Sequence, residues 1–417
     1  MRHTTLSHET AVRETPVPGT QVSGTSRGKV GPFGPIRATI DPDAFSGSSH
    51  NREDRPRFPH GGALMIEIDG SLYSGSGTLL RYAVALATLT HQPLHMTHIR
   101  AKRPKPGLRA QHLQAVTACG RLSDGRIEGG EVGSQEIIYR PGPRLRSGEF
   151  RVDIGTAGSA TLAACTLIPP SLYAPGPCRF SIVGGLFQDF APSFFHMDRV
   201  LLPLLRSMGA SVTLRMVRPG YYPQGQGELI LHVNPASKPL KPVDLVQQGS
   251  VECIRGVALA SHLREQKVAR RMADSARHLI TRRAAAVEID IQEDTDAVQR
   301  GAALIMYAAT DKGCILGSDR AGKLGRRAES IADFVVEALF QDLDTGATVD
   351  RHAADQLILF AALAEGTSRY RVPVVTDHVK SNLWLVGKIL GASSHFEGTI
   401  LHIQGIGHVG NDSGSRR

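Results

Sequence analysis

His378 lies in the run TDHVKSN, just past a β-branched strand and ahead of a helix-forming segment. A histidine titrates near neutrality, so one held at a strand end can act as base, acid or nucleophile. The chain has 17 histidines, so residue type alone selects none of them. What selects His378 is its place in a repeat, opposite a basic loop. That loop, IRAKRPKPGLRAQH, carries Arg100, Lys102, Arg103, Lys105 and Arg109, followed by Gln111 and His112. Its prolines predict an extended backbone from which the side chains fan out. Such an array suits phosphate oxygens, Arg by bidentate contact and Lys as a point charge; a solvated loop is the bland alternative. In HAADQ, Asp355 can orient a ring N–H and Gln356 can read a base or ribose, or both residues simply begin a helix. Two Gly-rich turns, 70–77 and 155–159, lead from strand to helix, where backbone N–H groups can receive phosphate. Glycine there can equally serve only the φ > 0 of a tight turn. No G-x-x-x-x-G-K-[ST] occurs, so a nucleoside triphosphate would bind without a Walker loop.

These residues need strands and helices to hold them, and the chain supplies them in a repeating order. Unit one runs from the strand at Met65–Ile68 through the turn DGSLYSGSG into the helix TLLRYAVALATLT, then strand, helix AQHLQAVTACGRLS and two strands. Unit two repeats that order from FRVDIGTAGS to GELILHV. Asp69 and Asp153 are 84 residues apart, and so are His112 and His196. Unit three comprises ADQLILFAALAEG, YRVPVVTDH, SNLWLVGKILG and a closing hairpin, with His378 in the place of His112 and His196. The expected fold class is therefore α/β: three βαβαββ repeats forming a large domain over 64–249 and 324–410, with a small α/β domain inserted at 250–323. The helix RRAESIADFVVEALFQDL is expected to return the chain to the repeat core. The insertion carries Arg264, Lys267, Arg270, Arg271, Arg277, Arg282 and Arg283 on or near one helix, a surface that attracts an RNA backbone or is merely solvated.

Composition bounds the rest. At 417 residues the chain has room for two or three units, and 41% hydrophobic with 21% charged residues argues against wholesale disorder. Residues 1–63, rich in Pro, Gly and Ser without an apolar period, read as a disordered or extended leader. A net charge of +9 makes a polyanionic partner plausible. Five widely spaced cysteines without C-x-x-C point to neither a disulfide framework nor a zinc knuckle, and a reducing, cytoplasmic compartment fits them best. The uncharged stretch 154–178 is broken by Pro169-Pro170 and glycines, which makes it a poor membrane span, so no membrane partner is expected.

The motifs DGSLYSGSGTLLR, IRAKRPKPGLRAQHL, GSQEIIYRPG, RPGYYPQGQGE and ADQL…TDHVKSN, in this order from Met65 onward, resemble the RNA 3'-terminal phosphate cyclase family. The resemblance implies ATP-dependent conversion of an RNA 3'-phosphate end into a 2',3'-cyclic phosphate, with a divalent metal (Mg or Mn). It implies His378 as the adenylylated nucleophile. It places the adenylate on Gln135, His352, Ala353, Ala354, Asp355 and Gln356, and the RNA phosphate on Arg81, Arg100, Arg103, Lys105, Gln111 and His112. The partners implied are ATP and an RNA with a 3'-phosphate end; oligomeric state and metal ligands stay open. Ser74 stands where the family usually has a glutamate, and a hydroxyl is a poorer partner for a hard cation than a carboxylate. His352 replaces the usual Tyr, and Gln226 breaks a glycine triplet. These departures sustain an alternative, a catalytically inactive cyclase-like RNA-binding factor in ribosome assembly.

Overall fold

The computed structural model describes residues 64–283 and 286–410; the leader expected over 1–63 lies outside the described residues. The chain begins with β1 (Ile66–Asp69), α1 (Gly77–Thr90), β2 (Leu94–Thr97), α2 (Ala110–Ser123), β3 (Arg126–Glu128) and β4 (Ile137–Arg140). Next come β5 (Gly148–Asp153), α3 (Ala160–Ser171) and β6 (Cys178–Gly184), then a helical run of α4 (Phe194–His196), a π turn (Met197–Leu201) and α5 (Leu202–Ser207). β7 (Ser211–Arg218), β8 (Gly227–Asn234) and the short β9 (Asp244–Leu245) follow. The segment after it holds β10 (Val251–Ser261), α6 (Val268–Thr281), β11 (Val287–Asp294), β12 (Gly301–Thr310), β13 (Ile315–Ala321) and α7 (Ala328–Asp344). The last elements are α8 (Ala353–Leu363), β14 (Glu365–Arg371), α9 (Asp377–Leu390), β15 (Ser393–Glu397) and β16 (Ile400–Ile406).

Three four-stranded sheets have one strand order: β1-β2-β4-β3, β5-β6-β8-β7 and β9-β14-β16-β15. In each, the first two strands are parallel and the remaining pairings antiparallel. A parallel pair needs a crossover, which α1, α3 and α8 supply. These three helices are mostly apolar and are buried along their whole length, as expected of helices in an interior layer. α1 packs on α2, α3 and α9, and α8 packs on α9. Each leucine wholly removed from water there contributes roughly 1.5–3 kcal/mol. The two-residue β9 carries no sequence pattern of its own; it is a strand because Asp244 and Leu245 lie beside Arg369 and Tyr370.

The fourth sheet, β11-β10-β12-β13, has a separate core. Met272 and Ala276 of α6 meet Ile331, Val335 and Leu339 of α7 there, over Ile254 and Leu304. α7 therefore packs on this fourth sheet, although the sequence pattern predicts its return to the repeat core. Its apolar stripe fits either surface, and only chain connectivity in three dimensions chooses between them.

Candidate active site

Ser76 caps α1, its hydroxyl accepting the Thr78 N–H at 3.3 Å, and Thr376 caps α9 by accepting the Val379 N–H at 3.2 Å. These caps fix the starts of two helices that pack together. The turn before α1 grips α9 directly: the Ser381 hydroxyl donates to Ser74 Oγ at 2.8 Å and accepts the Ser74 N–H at 3.2 Å. Tyr73 meets Trp384 with ring centroids 5.6 Å apart. Lys102 joins the basic loop to the same turn, donating to the Tyr73 carbonyl at 2.6 Å.

His378, the second residue of α9, is half-buried. Its Nδ1 is buried and meets no partner among the described residues. Burial lowers its pKa, the positive charges of Arg81 and Arg103 lower it further against the pull of Asp377, and it falls to about 4. At neutral pH the ring is a free base. Arg81 lies buried in α1, with Nη2 donating to Thr78 Oγ1 at 3.2 Å. His112, third in α2, presses on the same helix start: a Cβ added to Gly77 would lie 2.1 Å from His112 Nε2 and 3.0 Å from Arg81 Nη1. Glycine at 77 is what permits this approach. Burial, then Arg81 and Arg100, push the His112 pKa down to about 2, so this imidazole too is neutral. Gln111 links α2 to the second Gly-rich turn, its Oε1 accepting the Ser159 N–H at 2.6 Å.

On α8, Gln356 Nε2 donates to Asp355 Oδ1 at 2.9 Å, and the Tyr82 hydroxyl donates to Gln356 Oε1. Burial raises the Asp355 pKa to about 7 against Gln356 and Arg81. Asn382 of α9 donates to the Asp355 carbonyl at 2.9 Å, so α8 and the His378 helix are tied together. The start of α8 is held by Asp350, which accepts the backbone N–H groups of His352 and Ala353 at 2.8 Å each. Its other oxygen accepts from Gly317 N at 2.9 Å and bonds His196 Nε2 at 3.0 Å. Burial pulls the His196 pKa down, but Asp350 outweighs it and pushes the pKa up to about 9. The exposed His352 ring meets His196 edge-on, centroids 5.8 Å apart.

The structure thus gathers Arg81, Arg103, His112 and His378 in one electrostatic neighbourhood, with Asp355 beside Arg81 and Ala353 and Ala354 buried at the start of α8. Three further residues named from the sequence lie as follows. Arg100 spends Nη1 on the carbonyls of Lys105 and Gly107, at 2.8 and 2.6 Å. Gln135 is exposed, and its carbonyl accepts the Ile99 N–H at 2.9 Å. Lys105 is exposed, with its carbonyl taken by Arg100. Nor is the basic loop extended. His98 and Arg100 adopt φ of 49° and 58°, and the Arg103 N–H returns to the Arg100 carbonyl, because the carbonyls gathered by Arg100 close the loop on itself. Gln226 holds a left-handed φ of 58°, a conformation glycine takes without strain.

Sequence reasoning missed Tyr82, Ser381, Asn382 and Asp350. Asp350, two residues before the His352 amide it receives, carried a readable capping signal; the others had none. Among the described residues, no group of three or more His, Cys, Asp or Glu side chains could hold a metal ion. Ser74 Oγ is already engaged with Ser381 and with Ser76 at 3.1 Å. The residues present do not fit a resident divalent cation.

The family model described as RNA 3'-terminal phosphate cyclase matches residues 72–396. A protein of that name from Pyrobaculum neutrophilum is 35% identical over 349 residues, covering 83% of this chain and all of its own. The namesake from Archaeoglobus fulgidus is 39% identical over 340 residues, covering 82% of this chain and all of its own. That from Nitrosospira multiformis is 40% identical over 327 residues, covering 78% and 92%. A solved enolpyruvyl transferase, NikO from Streptomyces tendae, shares 12% identity over 83% of each chain at a TM-score of 0.23, a level that carries no argument. With most of its length matched by the family model and by relatives covered nearly end to end, the chain belongs to the RNA 3'-terminal phosphate cyclase family.

Proposed function

We propose that the protein is an ATP-dependent cyclase that converts an RNA 3'-terminal phosphate to a 2',3'-cyclic phosphate through a histidine–AMP intermediate on His378. The observation that carries this reading is a half-buried, free-base imidazole at a capped helix start, within the field of Arg81 and Arg103. With the proton on buried Nδ1, the Nε2 lone pair attacks the α-phosphorus of ATP. An N–P bond forms, the bridging α–β P–O bond breaks, and pyrophosphate leaves. An oxygen of the RNA 3'-phosphate then displaces His378 and takes AMP. Finally the neighbouring 2'-OH attacks the terminal phosphorus, loses its proton and expels AMP. Arg81 and Arg103 stabilise phosphate charge as it shifts, and holding the 2'-OH beside an activated phosphate makes closure effectively unimolecular, worth roughly 7–11 kcal/mol.

The shared strand order of three sheets supports reading them as βαβαββ repeats. The separate core of the fourth sheet supports an inserted domain from about residue 250 to the end of α7. Adenylate binding by the α8 start, RNA-phosphate binding by the basic loop, and a cytoplasmic location consistent with five buried free thiols belong to the same proposal. No helix of the described residues is long and apolar enough to cross a membrane.

The test is incubation with ATP labelled on its α-phosphate, followed by a denaturing gel. Acid-labile label on the wild type that vanishes in His378→Ala supports the enzyme. Label absent with magnesium, manganese and cobalt alike would favour the second reading, an RNA-binding factor without turnover. The engagement of Ser74 with Ser381 and Ser76 is the observation on that side.

A further inference from the structure

Phe190 is fully exposed at φ 71° on the loop between β6 and α4, and Leu324 is equally exposed on the loop between β13 and α7. A bulky aromatic residue in the left-handed region is a genuine outlier with an energetic cost, and a ring standing wholly in water recovers none of that cost within the chain. Nor are the two loops loose. Arg326 clamps Asp189 with two N–H donors at 3.0 and 2.8 Å. Asp319 accepts the Ser193 N–H at 2.7 Å, and Thr161 Oγ1 donates to the Pro192 carbonyl at 2.7 Å. Anchored on both sides, the chain displays Phe190 outward.

Lys323, next to Leu324, is exposed, ion-pairs with no described carboxylate, and acts electrostatically on Asp189 beside Phe190. The ridge also flanks the proposed nucleotide site. Ser193, three residues beyond Phe190, caps the helix bearing His196 by accepting its N–H at 3.2 Å, and the His196 ring touches His352. An exposed ring beside a free cation suits single-stranded RNA, the ring stacking a base and the ammonium meeting phosphate. We infer that Phe190, with Leu324 and Lys323, seats an unpaired nucleobase of the RNA strand upstream of its 3'-terminal phosphate; this rests on the RNA substrate proposed for the site. A second copy of the chain is the competing occupant, disfavoured because each copy carries a net charge of +9.

The test compares binding of a 3'-phosphorylated dinucleotide with that of a 3'-phosphorylated single strand of about ten nucleotides, by fluorescence anisotropy at two salt concentrations. Phe190→Ala is expected to weaken the longer strand roughly 5- to 100-fold. Dinucleotide binding and uptake of AMP should be unchanged, and Phe190→Trp should bind like the wild type. Because phenylalanine carries no charge, the loss should be the same at both salts, whereas Lys323→Ala should flatten the salt dependence. Unchanged binding of the longer strand by Phe190→Ala overturns the inference, as does a sedimentation shift from dimer to monomer in that variant. A wild type that takes up AMP yet binds the two strands equally overturns the inference alone. One that neither takes up AMP nor binds either strand overturns the reading beneath it.

Discussion

His196 and His378 both sit within the first turn of the helix that follows the second strand of a sheet along the chain, and their surroundings leave the first charged and the second neutral. His196 is wholly buried, bonded through Nε2 to an equally buried carboxylate, with its pKa pushed up to about 9. His378 is half-buried, faces two guanidinium groups, and falls to about 4. The first is a charged strut: through Asp350 it holds the backbone of His352 and Ala353 and the amide of Gly317. The second keeps a free lone pair. Two histidines at matching places in two sheets of one strand order thus differ in charge, because Asp350 outweighs burial at the first, while burial and the charges of Arg81 and Arg103 act together at the second.

The comparison breaks first at His378. His378→Ala should reduce uptake of labelled AMP by roughly a thousandfold or more with little change in the urea midpoint. Residual labelling close to wild type would mean that another residue carries the adenylate. His196→Ala should do the reverse. It strands a buried carboxylate and should cost roughly 3–5 kcal/mol of stability in urea unfolding, while protein that remains folded still takes label. Unchanged stability with lost labelling would exchange the two roles.

The pH dependences sharpen the contrast. His196 has a folded pKa raised above its unfolded value near 6.5, so its stabilisation is fully present below that value and is lost as pH rises through about 9. The difference in urea midpoint between wild type and His196→Ala should therefore shrink from neutral to alkaline pH; a constant difference would show that the pair is not ionic. For His378 the labelling rate should stay level between about pH 8 and pH 6 and fall only as pH drops toward about 4. A half-maximum near 6.5 would mean that neither burial nor the charges of Arg81 and Arg103 act on the ring. The smallest effect is expected at Ser381. Removing its hydroxyl loosens the link from Ser74 to α9, so Ser381→Ala should lose about 1 kcal/mol and slow labelling a few-fold without moving that pH profile.

Much of this site was legible along the chain. The basic loop, the run HAADQ and the residues TDHVKSN are contiguous, and each announces its chemistry by composition. The partners that set their charge are not contiguous. Asp350 lies 154 residues from His196, and Ser381 lies 307 from Ser74. The loop misled in the other direction: its prolines suggested an extended array, whereas Arg100 turns back onto the carbonyls of Lys105 and Gly107. No local pattern distinguishes an arginine that will meet phosphate from one that will close its own loop.

By itself the linear order of residues determined the alternation of strands and helices, the 84-residue echo between His112 and His196, the +9 charge and the motifs of the family, because each depends on neighbours in the chain or on simple sums over it. Which histidine is protonated, which arginine is free, and which sheet α7 covers were decided only on folding. Ionisation responds to charge and burial within a few ångströms, and those neighbours are assembled from segments that the chain keeps far apart.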